Sequence, residues 1–232
     1  MSSRNYRFAI VPHEYAGQTK PRYFHCCTKR EWQSYISPYF EQRFYSNEIS
    51  YSKTVSNASF RLPTLEIKLG LLLADDEVRV PQNSANDVGL LSGAVRPGFV
   101  IDSVLSIFSL LEGLGTLSWI ASLPGPDRSS LKNRQSRKNK FTQGVAMTIG
   151  RECNIEIDHL TSLRDRCIHQ DCADLQDDLD YKHVFMTSAL MTSVSLLNEY
   201  LDALGDGKRT MPKSNLDLFV QETRRPASLD LF

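Results

Sequence analysis

The 232-residue chain lacks an excess of charge of either sign, because 27 lysine and arginine residues balance 27 aspartate and glutamate residues. This balance excludes a uniformly basic nucleic-acid-binding protein, and an apolar content of 41% argues against wholesale disorder. The five cysteines are odd in number and lack the spacing of a disulfide framework. No apolar run follows the N-terminus, so no secretory signal is expected. Free thiols in a reducing cytoplasm are the simplest interpretation.

A long uncharged apolar run is also missing. The most apolar stretch, residues 100–123, is interrupted by Asp102 and Glu112. Its uncharged pieces are shorter than the roughly 18 residues that a membrane span requires. We therefore expect a buried core helix and no association with a membrane.

Sequence signatures of metal and cofactor sites are scarce. His25, Cys26 and Cys27 are adjacent, and adjacent ligands cannot easily surround one ion tetrahedrally. The sequence contains no Cys-x-x-Cys pair and no glycine-rich phosphate loop. It predicts neither a bound metal ion nor a cofactor.

The pattern of the residues that are present changes near residue 98. Residues 1–98 hold short, turn-bounded runs typical of a mixed α/β region, with strands predicted at 7–11, 22–25 and 65–69 and a weaker one at 76–80. A helix over residues 29–44 is expected to begin after Thr28, and Pro38 is expected to break or kink it.

Residues 99–204 show the pattern of an α-helical bundle, so the predicted fold class is mostly α. Helices are expected at 99–123, 139–148, 155–168 and 181–204, with Gly150 ending the second and Gly205-Asp-Gly207 the fourth. Residues 205–232 form a tail that we expect to be irregular from residue 208 onward. Two Leu-Asp-Leu-Phe segments in it, at 216–219 and 229–232, resemble groove-docking peptides such as bacterial sliding-clamp ligands. The favoured interpretation is that they pack the tail onto its own domain.

The most informative segment is Arg164-Asp-Arg-Cys-Ile-His169, near the end of the third predicted helix of the bundle. A projection at about 100° per residue gives this helix a polar stripe that includes Asp165 and His169. The opposite, apolar side comprises Ile157, Leu160, Leu163, Cys167 and Ile168. Arg164 falls within the apolar side, about 140° from His169. The long arginine side chain, or a helix that ends before His169, would be needed to bring the two groups together.

These residue types suit the cleavage of a phosphodiester. An arginine on a core-facing stripe needs an acceptor, and Glu112 is the expected partner of Arg164. Asp165 lies one helical turn before His169, where a carboxylate can orient an imidazole that exchanges protons near neutral pH. A proton-transferring histidine and an arginine that stabilises negative charge are the groups that such a reaction requires.

The Arg164 to His169 segment, placed on the third helix of a bundle after an apolar first helix, resembles the signature of HEPN domains. That signature is an arginine, commonly followed by Asn, Asp or His, with a histidine four to six residues further on. The resemblance covers residues 99–204. It implies a helical bundle that forms a homodimer, in which two motifs meet in one cleft. Many members are metal-independent endoribonucleases of toxin–antitoxin, abortive-infection and antiviral systems.

The resemblance also implies roles for individual residues. His169 would transfer protons, Arg164 would stabilise charge on the scissile phosphate, and Asp165 would support the site. The predicted RNA contacts are Arg166 and, from the basic segment 128–140, Arg134, Arg137, Lys138 and Lys140. An acidic run at residues 171–180 follows His169 and would repel a phosphate backbone nearby. An antitoxin or a protein of a defence complex is a further possible partner besides RNA.

A non-catalytic helical adaptor or dimerisation module, in a defence or regulatory complex, is the alternative. In that case Arg164 forms a structural ion pair with Glu112 or Asp158, and His169 caps the last carbonyls of its helix. The basic segment would then be an exposed loop, and residues 1–98 would bind a partner.

Overall fold

The computed structural model describes residues 6–10, 22–44, 49–78, 95–123, 136–169 and 183–224. This part of the chain is mostly α-helical, which confirms the predicted fold class at that level. The helices are α1 (Lys29–Glu41), α2 (Ile49–Val78), α3 (Val95–Ser122), α4 (Arg137–Ile149), α5 (Asn154–His169), α6 (His183–Ala203) and α7 (Asn215–Arg224).

Two short strands precede the helices. Strand β1 (Tyr6–Ile10) pairs antiparallel with β2 (Arg22–Cys26), so that Tyr6 faces Cys26 and Ile10 faces Arg22. Both lie within one residue of the strands predicted at 7–11 and 22–25. Strand β2 contacts α2 and α7, which attaches the hairpin to the helices.

Helix α1 begins where the sequence predicts. The Thr28 hydroxyl accepts a hydrogen bond from the Glu31 amide at 3.2 Å, and the Glu31 carboxylate accepts one from the Thr28 amide at 2.7 Å. This reciprocal pair satisfies two amides of the first turn. The predicted break at Pro38 is wrong, because the helix continues to Glu41. A proline near the C-terminal end removes only one backbone hydrogen bond, and the buried side chains around it hold the last turn in place.

Helix α2 overturns the predicted strand at residues 65–69. Leu62, Leu65, Leu69 and Leu72 recur every three or four residues and are all buried, which is the spacing of one helical face. Ile67, which a strand would place on the same face as Leu65, is 43% exposed. The weaker strand prediction at 76–80 is also wrong as far as Val78, where α2 ends; the remainder lies outside the described residues.

Helix α3 is the central element of the bundle. It contacts α2, α4, α5 and α6, and its buried residues recur around most of its circumference. Residues 98–122 have the length and mean hydropathy of a membrane span, 1.6 over an 18-residue window, and 56% of that window is buried against the rest of the protein. This burial agrees with the prediction of a core helix.

Helices α3 and α4 cross at two glycines. A methyl group on Gly144 would lie 1.8 Å from the Gly115 carbonyl oxygen, so the two backbones are in direct contact there. Helix α4 ends at Gly150, whose φ of 73° is the left-handed conformation that glycine adopts readily. The predicted end of this helix is therefore confirmed.

The tail is less irregular than predicted. Residues 215–224 form α7, which packs against α2 and α6. Leu216 and Phe219 of the first Leu-Asp-Leu-Phe segment are buried, which confirms that this segment packs onto its own protein. The second copy lies outside the described residues.

One hydrophobic core joins the helices on both sides of residue 98. Large buried side chains from α1, α2, α3, α4 and α6 belong to the same cluster, among them Trp32, Leu65, Leu111, Phe141 and Tyr200. The change in sequence pattern near residue 98 thus does not separate two cores. The predicted division of the chain stays a prediction: a mixed α/β region at 1–98, a helical bundle at 99–204 and a tail at 205–232.

Candidate functional site

Helix α5 carries the Arg164 to His169 segment and is fixed by its apolar side. Ile157, Leu160 and Leu163 are buried where α5 packs against α3 and α6, as the helical projection predicts. Ile168, predicted on the same side, is instead 47% exposed. Ile168 therefore lies at the surface, whereas Cys167, its neighbour in the chain, is partly buried against the core.

Arg164 lies at the rim of the bundle. Its guanidinium is 5.2 Å from the centre of the Phe108 ring, and its Nη1 donates to Asp165 Oδ1 at 2.6 Å. The side chain is 37% exposed, so the charge is only partly removed from water. An arginine in this setting needs no buried acceptor, and it remains accessible to an anion.

The predicted ion pair between Arg164 and Glu112 is wrong. Glu112 instead binds Arg137 of α4 through both oxygens, at 2.7 Å to Nε and 2.9 Å to Nη2. The expectation rested on a buried Arg164, and the partial exposure of that side chain removes its basis. Asp158, the other expected partner, binds Lys138 at 2.7 Å.

The predicted support of His169 by Asp165 stays a prediction. His169 is the last residue of α5, and its side chain lies outside the described part of the structure. The described partner of Asp165 is Arg164, its neighbour in the chain. Asp165 is thus placed to orient the guanidinium.

The basic segment has several structural contacts. Arg137 and Lys138 connect α4 to α3 and α5 through the two ion pairs given above, and the Lys140 ammonium lies 5.6 Å from the centre of the Trp119 ring. Arg134 lies outside the described residues. These contacts hold α4 in place, and they leave Arg137 79% exposed.

Arg166 points away from Arg164. It lines a cleft of about 110 Å³ between α5 and α6, together with His159 and Thr192. Two residues along a helix rotate a side chain by about 200°, so the two arginines face different surfaces. The structure therefore does not bring Arg166 together with Arg164.

Arg164 instead belongs to a groove between α2 and α3, which we call the α2–α3 groove. It consists of two adjoining cavities of about 410 and 490 Å³ that share Phe60, Arg61, Ser109 and Glu112. Arg137 lines the first cavity, and Arg164 and Ile168 line the second. The remaining polar lining includes Asn57, Thr64, Lys68, Asp102 and Ser106.

The groove is more basic than acidic. Its lining contains four cations, Arg61, Lys68, Arg137 and Arg164, and two carboxylates, Asp102 and Glu112. Lys68 lies 3.2 Å from Asp102, and Glu112 binds Arg137. Arg61 donates a hydrogen bond to the Ser109 hydroxyl, and within the described residues it has no carboxylate partner. The groove thus offers a polar surface on which the charge of Arg61 is not neutralised by a carboxylate of the lining.

Sequence reasoning missed the contribution of α2 to this site. Arg61, Thr64 and Lys68 lie at helical spacing and form a polar stripe beside the buried leucines. That stripe was a signal that could have found them. The alternating pattern that predicts a strand at residues 65–69 masks this helical spacing.

A second polar cluster lies in the core, around Glu66. Its carboxylate accepts hydrogen bonds from the Cys27 amide at 2.8 Å and the Trp32 indole at 3.3 Å. Burial raises the pKa of Glu66 to about 8 and that of the nearby Cys26 thiol to about 12. A thiol with a raised pKa stays protonated at neutral pH and is a poor nucleophile and metal ligand. In the part of the chain that the structure describes, no group of three His, Cys, Asp or Glu side chains is close enough to hold a metal ion.

Comparisons with known proteins leave the chain without an assigned relative: no family model, no curated protein and no solved structure matches it.

Proposed function

We propose that the protein is a metal-independent endoribonuclease of the HEPN type that acts in the cytoplasm as a toxin or antiviral defence effector. The observation that carries the proposal is the position of Arg164. Its side chain is partly exposed, is held by Asp165, and lines a groove with an excess of positive charge. An arginine in such a groove can bind a phosphodiester and stabilise its charge.

In the proposed reaction, the 2′-hydroxyl of the RNA attacks the adjacent phosphorus. A bond from the 2′-oxygen to phosphorus forms as the bond to the 5′-oxygen breaks. The hydroxyl proton passes to a base, and an acid gives a proton to the leaving 5′-oxygen. The products are a 2′,3′-cyclic phosphate and a 5′-hydroxyl, with no metal required. His169 would transfer these protons, while Arg164 would stabilise the charge on the phosphoryl oxygens.

A homodimer forms part of the proposal, because the resemblance implies that two motifs share one cleft. The exposed Ile168, one residue before His169, supports a contact at this place, since an apolar side chain at a helix end gains from burial against a second copy. Such a contact would bring the last turns of two α5 helices together and allow each copy to complete the site of the other.

The test is cleavage of RNA by the purified full chain in the presence of EDTA. We expect wild-type cleavage to yield cyclic phosphate ends, and His169→Ala and Arg164→Ala each to reduce the rate about 100-fold or more. Lys53→Ala is the control, because it removes an exposed cation that does not line the groove. Strict dependence on a metal ion would argue for another mechanism, and wild-type activity in His169→Ala would remove that residue from catalysis.

A non-catalytic helical adaptor is the second candidate. It is favoured by the engagement of Arg137 and Lys138 in ion pairs within the chain and of Lys140 over the Trp119 ring, although all three were predicted to contact RNA. In this case no RNA would be cleaved under any condition, and Arg164→Ala would disturb binding of a protein partner. A variant that folds as stably as the wild type but loses cleavage would decide for the enzyme.

A further inference from the structure

Phe60 is an unusual component of the α2–α3 groove. It lies where the two cavities meet, and 68% of this large apolar side chain is exposed. The other residues that line both cavities are polar or charged. Lys29 lies 6.0 Å from the centre of the Phe60 ring. An exposed aromatic ring beside cations is the combination on which proteins stack unpaired nucleic-acid bases.

Arg61 follows Phe60 and supplies a charge at the same place. Its described partner is the Ser109 hydroxyl, a neutral group that a phosphate oxygen can replace or join. The Thr64 hydroxyl also lines this part of the groove. Arg61 and Thr64 can donate hydrogen bonds to a sugar–phosphate backbone without reading a particular base.

The groove leads from this point to the proposed catalytic end. Phe60, Arg61 and Arg164 line the same cavity, and the α2 residues from 57 to 68 extend over about 16 Å at the rise of an α-helix. Its two carboxylates are each bound to a cation, so a polyanion would meet positive charge around Arg61.

We propose that the face of α2 formed by Phe60, Arg61 and Lys68 binds a single-stranded segment of RNA next to the bond to be cleaved. Phe60 stacks on an unpaired base, and Arg61 binds a phosphate close to that base. Lys68 lies further along α2, where its ammonium contacts Asp102 and can donate a further hydrogen bond to the strand. The substrate class is thus unpaired RNA, since a base inside a duplex cannot offer its face to Phe60. This inference rests on the proposed function for the position of the cleaved bond.

Binding of a fluorescent 12-nucleotide single-stranded RNA to the full-length His169→Ala protein, measured by anisotropy, tests the inference. We expect Phe60→Ala and Phe60→Leu each to weaken binding at least about fivefold, because base stacking is lost in both. Arg61→Ala should weaken binding and reduce the slope of log affinity against log salt by about 0.7, as expected when one phosphate contact to a single strand is lost. Arg61→Lys should restore most of that slope.

Two control variants on the same helix match these changes. Ile67→Ala removes an exposed apolar side chain and Lys53→Ala an exposed cation, and neither residue lines the groove. Both should bind RNA as the parent protein does. A duplex of equal length and poly-glutamate serve as competitors, and both should compete at least about tenfold less well than the unlabelled single strand.

The outcomes separate this inference from the proposed function. If the wild-type protein binds RNA, the groove variants weaken that binding, and no RNA is ever cleaved, the inference would be supported and the proposed nuclease activity excluded. Cleavage with an unchanged Michaelis constant in Phe60→Ala and Arg61→Ala would overturn the inference and leave the nuclease intact. Absence of RNA binding, equal competition by the duplex, or stronger competition by poly-glutamate would each overturn the inference.

Discussion

Replacing Gly144 with alanine would place a methyl group into the crossing of α3 and α4. The added carbon would lie 1.8 Å from the Gly115 carbonyl oxygen, 2.7 Å from the Gly115 carbonyl carbon and 2.8 Å from the Trp119 amide nitrogen. All three are backbone atoms, so no side chain can rotate away. The two helices would have to separate by more than about 1 Å, because contacts of a Cβ atom below 3.0 Å are essentially never seen.

The expected loss follows from the packing on both sides of this crossing. Overpacking a core typically costs about 1–3 kcal/mol, and a collision with backbone belongs at the upper end or beyond. Alanine recovers up to about 1 kcal/mol through its higher helix propensity. We therefore expect Gly144→Ala to lower the free energy of unfolding by about 2–3 kcal/mol, and the melting temperature by roughly 4–12 °C for a chain of this size.

Gly113→Ala is the matched control on α3. A methyl group there would lie 3.7 Å from Thr54 Cγ2, an ordinary van der Waals contact. This variant should be as stable as the wild type or up to about 1 kcal/mol more stable. Urea unfolding followed by circular dichroism measures both changes. Equal stabilities of the Gly144→Ala and Gly113→Ala proteins would refute the close approach of the two helices.

Three further predictions concern single side chains. Arg164→Ala should lower the free energy of unfolding by less than about 1 kcal/mol, because the arginine is partly exposed and its ion pair is screened by water; a loss of several kcal/mol in urea unfolding would show a structural role instead. Burial raises the pKa of Glu66 to about 8, so the unfolded chain loses this proton at lower pH than the folded one. The free energy of unfolding should therefore fall as the pH rises from about 5 to about 8, and Glu66→Gln should flatten that slope; parallel pH curves for the two proteins would contradict this reasoning. Thr28→Ala should lower the free energy of unfolding by about 1 kcal/mol, because the N-terminal cap of α1 is lost. Chemical denaturation can resolve a change of this size. An unchanged denaturation midpoint would mean that the cap is dispensable.

Local signals in the sequence were sufficient for much of the fold. Thr28 and Glu31 specify the beginning of α1, and Gly150 specifies the end of α4, because caps act within one turn of a helix. The failures occurred where two periodicities overlap. Leu65, Ile67 and Leu69 alternate with polar residues, as in a strand. Leu65 and Leu69 also belong to a longer series of leucines spaced three or four residues apart, and only a helix places that whole series on one face.

Partners that lie far apart in sequence could not be predicted in the same way. The sequence places both Glu112 and Arg164 in the interior of the bundle and so predicts that they pair, but Glu112 binds Arg137 of α4 instead. Which of several cations reaches a carboxylate depends on how the helices cross. The crossing is set by Gly115 and Gly144, and the sequence gives no measure of their separation.

The same dependence explains why the candidate site is larger than the segment that the resemblance covers. Residues 99–204 include Arg164 and the α3 side of the groove, but Phe60, Arg61 and Lys68 come from α2. The buried leucines of α2 hold these three residues against α3, and Trp32 and Tyr35 of α1 belong to the same core. A fragment restricted to residues 99–204 would expose the apolar surface of α3 that α2 covers, at about 25 cal/mol for each Å² returned to water. It would also lose one wall of the groove. The N-terminal half is thus part of the candidate site, and a substrate that binds the groove would contact both halves of the chain at once.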